Sequence, residues 1–197
     1  MPSSNKCPMA RHRNGAIFSA FAALVVALLC AGVTAGVHHG LAGAFAASDL
    51  ALDEAKGGAQ RKLLFPDATS FESQSAPVVE GLNSVYKADT GAWVFDVTSA
   101  QGYHGDVELM VGINADGTVA GIQVVAEDET DGIGTNALTE EYFGGFAGAP
   151  AAGELTVDEA GAGQTHVDAV SGATFTSRAV VDCLNIAFAA YAQMGGN

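Results

Sequence analysis

Residues Asp168 to Ser177 read DAVSGATFTS, and a run with helical spacing, RAVVDCLNIAFAAYAQM, follows them directly. Val180, Val181, Leu184, Phe188 and Tyr191 recur at three- and four-residue intervals, which gives that run one apolar face. Thr174, Thr176 and Ser177 place hydroxyls at its start, where free backbone N–H groups need acceptors. A helix N-terminus preceded by small residues is also a ready site for a phosphate. For S-G-A-T taken alone, an ordinary loop-to-helix cap is the plain alternative. A hydrolase using Ser171 or Thr174 as nucleophile is a second chemistry. It finds no G-x-S-x-G elbow here, and His166 and Asp168 are too close in sequence to imply a triad.

A second stretch with chemical content is EDETDGIG, Glu127 to Gly134. Gly132-Ile133-Gly134-Thr135-Asn136-Ala137 formally satisfies the dinucleotide fingerprint G-x-G-x-x-A. That reading fails on context. The glycines should follow a strand directly, whereas here a mostly acidic run intervenes, and carboxylates are poor neighbours for a pyrophosphate. A flexible acidic loop is the simpler reading.

The elements around these stretches predict an α+β domain, an antiparallel sheet with packed helices. Trp93, Phe95 and Val97 alternate with Val94, Asp96 and Thr98, a strand with one polar-leaning face. Gly105 to Ile113 and Thr118 to Val125 read as two more strands. Asn114-Ala115-Asp116-Gly117 has the chemistry of a tight turn and joins them as a hairpin. Upstream, a helix capped by Ser48 runs through Leu50, Leu52, Ala55, Leu63 and Leu64, with a weak point at Gly57-Gly58 and an end at Pro66. The polar, Ser-rich segment from Phe65 to Asn83 reads as a loop. No alternating βαβ series is present, which argues against a doubly wound sheet.

Ala16 to Val37 is a long uncharged stretch whose 22 residues would rise about 33 Å as a helix, enough for a bilayer core of roughly 30 Å. Lys6, Arg11 and Arg13 precede it, and all 22 acidic residues follow it. The expectation is a retained single-pass anchor in the cell (inner) membrane, N-terminus cytoplasmic and the rest extracytoplasmic. Ala44-Phe45-Ala46 offers a competing signal-peptide cleavage site, but the apolar core exceeds the usual h-region of roughly 7–15 residues. A lipobox at Cys30 is weaker still, since Leu29 stands where a small residue is expected. The formal charge of −14 repels phosphate backbones, so nucleic acid is a poor partner. Cys7, Cys30 and Cys183 fall in three different segments with no CxxC pair, and the five histidines do not cluster, so no metal site is expected.

Asp168, Ser171, Gly172, Ala173 and Thr174 together resemble the D-x-x-[ST]-G-A-T flavinylation signature of FMN-binding domains. The continuation into SRAVV is most similar to the G subunit of Rnf electron-transport complexes, with the C subunit of the Na⁺-translocating NADH:quinone oxidoreductase as a related pattern. Glu129-Thr130-Asp131-Gly132-Ile133-Gly134 resembles that family's E-T-P-G-[LI]-G, with Asp131 in place of Pro. Glycines at this spacing let backbone lie close against a flat ring. Gly102-Tyr103-His104-Gly105 resembles its G-Y-G-G, with His104 in place of Gly. The resemblance implies FMN joined by a phosphoester to Thr174, with Ser171, Gly172, Ala173, Asp168, Glu129, Thr130, Gly132 and Gly134 around it. Asp168 would be either a recognition handle for the transferase or a metal-phosphate contact during attachment. The implied partners are the membrane and iron–sulfur subunits of an Rnf-type complex and a flavin transferase for maturation. The implied role is electron transfer coupling ferredoxin/NAD chemistry to ion translocation, with no independent substrate turnover. The corresponding organisation is a basic head at 1–15, an anchor at 16–37, a juxtamembrane helix and linker at 38–84, and an extracytoplasmic FMN-binding domain at 85–197. A flavin-free, membrane-tethered binding module is the alternative of another class, for which composition alone suffices.

Overall fold

The computed structural model describes residues 57–196. Within them no helix is long and apolar enough to cross a membrane. The anchor read at Ala16–Val37, and the part of the upstream helix before Gly57, lie outside the described residues.

Five strands form one antiparallel meander, each hydrogen-bonded to its neighbours in sequence: β1 Phe71–Gln74, β2 Leu82–Ala88, β3 Trp93–Ser99, β4 Val107–Ile113 and β5 Val119–Ala126. The β4–β5 connection is the expected hairpin. Asn114 N–H donates to Thr118 O at 2.8 Å, Gly117 takes φ +82°, and Asp116 accepts from the Thr118 amide at 3.0 Å. Only glycine enters that backbone region without strain. Two of the strands, β1 and the start of β2, occupy the segment read as a loop. β1 is short, and β2 carries an irregularity between Leu82 and Ser84 that breaks the period-two pattern. Its burial therefore does not alternate cleanly, and the sequence signal was lost.

A helix of 20 residues, Thr174–Gln193, crosses one face of the sheet. Val180, Leu184, Ala187, Phe188 and Tyr191 meet Phe95, Val97, Leu109, Val111 and Ile113 there in one buried cluster. Burying each large aliphatic side chain contributes about 1.5–3 kcal/mol. Tyr191 stands edge-on to Phe95 at 6.3 Å between ring centroids. The opposite face of β3 was expected to lean polar, but α1, Ala59–Leu64, and the Phe65 that follows it cover part of it. Val94 and Met110 are consequently fully buried. Polarity survives only at the uncovered end, where Asn83 and Ser84 donate to the Asp96 carboxylate. Elements not foreseen complete the described residues: a short 3₁₀ turn at Gly134–Ala137, α2, Glu140–Gly144, and a parallel pair, β6 Glu154–Thr156 with β7 Gln164–His166. With the long helix numbered α3, the sheet and α3 form a rigid base for the loops at one end.

Candidate functional site

α3 begins at Thr174, and Ala173 is its cap position with no side-chain hydrogen bond to the helix. The hydroxyls expected to cap it are used elsewhere. Ser177 Oγ accepts from the Val170 amide at 3.0 Å, which folds the preceding loop back on the helix. Thr176 Oγ1 donates to Glu129 Oε2 at 2.7 Å. The first helical amides are thus left without a side-chain acceptor, beside an exposed Thr174. Gly172 takes φ +83°, with open space where a Cβ would stand. That backbone turns the loop sharply before the helix and leaves Ser171, Gly172 and Thr174 exposed.

A cleft of about 320 Å³ opens against this turn, lined by Gly172, Ala173, Phe175 and Thr176 on one side. Tyr103 comes to it from the β3–β4 connection, and Glu129, Thr130, Ile133 and Gly134 come from the loop after β5. All three motif segments therefore meet in one place. Tyr103, Phe175 and Ile133 are each more than half exposed although large and apolar, and the Tyr103 and Phe175 rings are 5.8 Å apart. His104, the departure from the family pattern, stacks on Tyr103 at 5.7 Å.

Glu129 joins the segments. Its Oε1 accepts from the amides of Tyr103 at 2.7 Å and His104 at 3.3 Å, while its Oε2 takes the Thr176 hydroxyl. Two glycines make room for it. A Cβ on Gly102 would lie 2.7 Å from Glu129 Oε1, and one on Gly134 would lie 2.3 Å from Oε2. Gly134, not Gly132, is the glycine that permits close approach. Gly132 faces open space with φ +71° and serves the turn in which Ile133 and Gly134 donate to Thr130 O. Asp131, exposed in the same turn, does not line the cleft.

Asp168 lies elsewhere. It lines a larger cavity of about 720 Å³ with Tyr142, Phe146, Leu155, Val167 and Phe188. Tyr142 OH donates to the Asp168 carbonyl at 3.3 Å, and burial pushes that phenol above its ordinary pKa. His166 Nε2 sits 3.5 Å from Asp168 Oδ1, and its Nδ1 is 3.0 Å from Asp158 O. Neither of these contacts is to Ser171 or Thr174, the two candidate nucleophiles. Arg178 forms an exposed pair with Asp158, which raises the guanidinium pKa and lowers that of the carboxyl. Cys183 is buried, and desolvation followed by the nearby Asp182 carboxylate pushes its thiol far up. It is a core residue and not a reactive one.

Both cavities have the size of ligand sites, roughly 300–1,000 Å³. The smaller one has the features a phosphate-bearing flat ring requires. It offers exposed aromatic edges and backbone brought close at Gly134, and it abuts an uncapped helix start whose first residue, the exposed Thr174, stands next to the lining residues Ala173 and Phe175. The Glu129 network that shapes it could not be read from the sequence, because it depends on which loops the sheet brings together. Phe175 was missed as well. Its signal was an aromatic standing off the apolar face of an otherwise amphipathic helix.

Fold and site together define a small α+β domain with a cleft at the start of its long helix, Thr174–Gln193. A family model described as the FMN-binding domain matches residues 102–189. The G subunit of the Na(+)-translocating ferredoxin:NAD(+) oxidoreductase complex of Acetobacterium woodii is 30% identical over 152 residues, 68% of this chain and 73% of that protein. The G subunit of the proton-translocating ferredoxin:NAD(+) oxidoreductase complex of Clostridium ljungdahlii is 34% identical over 123 residues, 60% of this chain and 63% of that protein. Among solved structures, the C subunit of the Na(+)-translocating NADH-quinone reductase of Parabacteroides distasonis aligns with a TM-score of 0.46 and 22% identity, over 57% of this chain and 61% of that one. The chain belongs to the FMN-binding domain family of ion-translocating oxidoreductase G subunits.

Proposed function

We propose that this protein is the membrane-anchored flavoprotein subunit of an Rnf-type complex, carrying FMN esterified to Thr174 and passing electrons between neighbouring subunits. The reading is supported above all by the convergence of Tyr103, of Glu129, Thr130, Ile133 and Gly134, and of Gly172, Ala173, Phe175 and Thr176 on one cleft at the helix start, beside the exposed Thr174.

Bound FMN supplies one- and two-electron chemistry, and the protein's own residues hold and insulate it. Thr174, exposed at the first helical position, would accept the FMN phosphoryl group from a flavin dinucleotide on a flavin transferase: the Oγ–P bond forms as the pyrophosphate P–O bond breaks, the nucleoside monophosphate leaves and the hydroxyl proton passes to solvent. Gly172 and Ala173 keep the hydroxyl accessible and place the phosphate by the uncapped helical amides, where the helix dipole favours an anion. Tyr103, Phe175 and Ile133, which line the cleft, would border the ring, and Thr130 and Gly134 would offer close backbone. Ser171 is exposed in the turn and serves transferase access, while Asp168, beyond the cleft, serves recognition. A permanent carboxylate–phosphate contact without a cation would be repulsive. A covalent tether suits a flavin outside the cytoplasm, where a lost cofactor is not replaced from a cellular pool.

In this reading Ala16–Val37 anchors the protein in the cell membrane with residues 85–197 outside, and membrane and iron–sulfur subunits are its partners. The two relatives named above differ in the ion that their names specify, so the coupling ion is not carried over. The test is co-expression with a flavin transferase and in-gel fluorescence after denaturation. Wild type should fluoresce, Thr174→Ser should do so in part, and Thr174→Val should be dark. A fluorescent valine variant would move the attachment to Ser171, Thr176 or Ser177.

A further inference from the structure

We infer that Glu129 is a positioning residue: it latches the aromatic wall of the cleft in place and fixes a negative charge beside the flavin. This rests on the function proposed above and assigns a separate task within it. Among the described residues the carboxylate's hydrogen-bond partners are the amides of Tyr103 and His104 and the hydroxyl of Thr176, none of them a cation. Those partners lie 26, 25 and 47 residues away in sequence. One side chain therefore ties the β3–β4 connection, the loop after β5 and the start of α3 to a single point.

The packing is built to admit it. Gly134 has no room for a Cβ because the Glu129 carboxylate occupies that space, at Gly102 the Gly105 carbonyl and then the carboxylate crowd the same position, and Thr176 is 1% exposed. With its amide held, Tyr103 presents its ring to Phe175 on one side and to His104 on the other. Since both carboxylate oxygens already accept hydrogen bonds, Glu129 acts on the flavin through shape and field. A fixed negative charge near the ring opposes the arrival of electrons and lowers the midpoint potential. The amides and hydroxyl stabilise the charge without neutralising it.

The experiment uses full-length protein in detergent, with two readouts. The first is deuterium exchange at the Tyr103 and His104 amides, measured in a flavin-free Thr174→Val background. Glu129→Ala should raise exchange there roughly tenfold or more, the loss expected for hydrogen bonds to a charged acceptor. Glu129→Gln keeps an oxygen for the Tyr103 amide and should stay near wild type. If the alanine variant does not fold, Thr176→Val removes one anchor of the carboxylate and should raise exchange in the same direction. Unchanged exchange in the alanine or Thr176→Val variant overturns the latch.

The second readout is the midpoint potential of flavin-loaded protein, which should rise in Glu129→Gln although the cleft keeps its shape. A potential equal to wild type in that variant overturns the charge role, because a purely structural staple would leave the potential alone. Wild type that never carries flavin would sink the proposed function and the charge role together. The exchange readout, which needs no flavin, would still decide the latch.

Discussion

Replacing Gly134 by alanine should damage the cleft more than the same change at Gly132, two residues away. The added Cβ at 134 would lie 2.3 Å from Glu129 Oε2, 2.9 Å from Glu129 Cβ and 2.9 Å from Thr176 Oγ1. The carboxylate cannot simply swing aside, because Tyr103, His104 and Thr176 hold it. Overpacking of this kind costs about 1–3 kcal/mol, and partial loss of hydrogen bonds to a charged group brings the total to about 2–4 kcal/mol. At Gly132 a Cβ meets nothing, and only the left-handed backbone at φ +71° is strained, at about 1 kcal/mol. A domain of this size loses roughly 3–4 °C of melting temperature per kcal/mol. Thermal unfolding followed by near-UV circular dichroism should therefore place Gly134→Ala about 10 °C below wild type and Gly132→Ala about 3 °C below. If Gly134→Ala melts at or above Gly132→Ala, the packing around Glu129 is not as described.

Cys183 should resist alkylation in the folded protein at pH 8 and react on unfolding, as peptide mapping of the labelled site would reveal, because its raised pKa keeps it a buried thiol. Burial and then Asp96 raise the pKa of Glu108 above the ordinary glutamate value, so the folded state binds that proton more tightly than the unfolded one. Stability should then fall as pH rises from the ordinary value through the raised one. Glu108→Gln should flatten that part of the urea-denaturation profile and be more stable than wild type at neutral pH. A reporter fused after Asn197 should be active only outside the cytoplasm, whereas mature protein beginning near Ala47 would favour the signal-peptide reading.

The parts of the fold that sequence disclosed were those with a strong period or strong turn chemistry. The α3 face and the Asn114–Gly117 hairpin belong to that group, because each is decided within a few residues. β1 and β2 were hidden by shortness and by the irregularity at Leu82–Ser84, and β6–β7 by strands of three residues each. The second face of β3 was misjudged since its burial depends on α1, which a local pattern does not reveal. At the site, Thr174 and its small neighbours stand out because they form one contiguous string. Glu129 stands out as part of a motif, but its task does not, since its partners come from distant loops. Gly132 and Gly134 look equivalent in sequence, and only the packing separates them. Asp168, adjacent in the string to the attachment turn, belongs in space to the wider cavity.

The central claim is one FMN on one hydroxyl, and the intact mass of the protein isolated from its own membrane tests it most directly. Wild type should carry the mass of a single FMN-phosphoryl group, and fragmentation should place it on Thr174. Thr174→Val removes only the hydroxyl at an exposed position, so it should fold as wild type does and show the mass of the bare chain. Flavin mass retained by the valine variant would contradict the assignment to Thr174. An unmodified wild type from a cell that makes the transferase would contradict the covalent flavoprotein account itself.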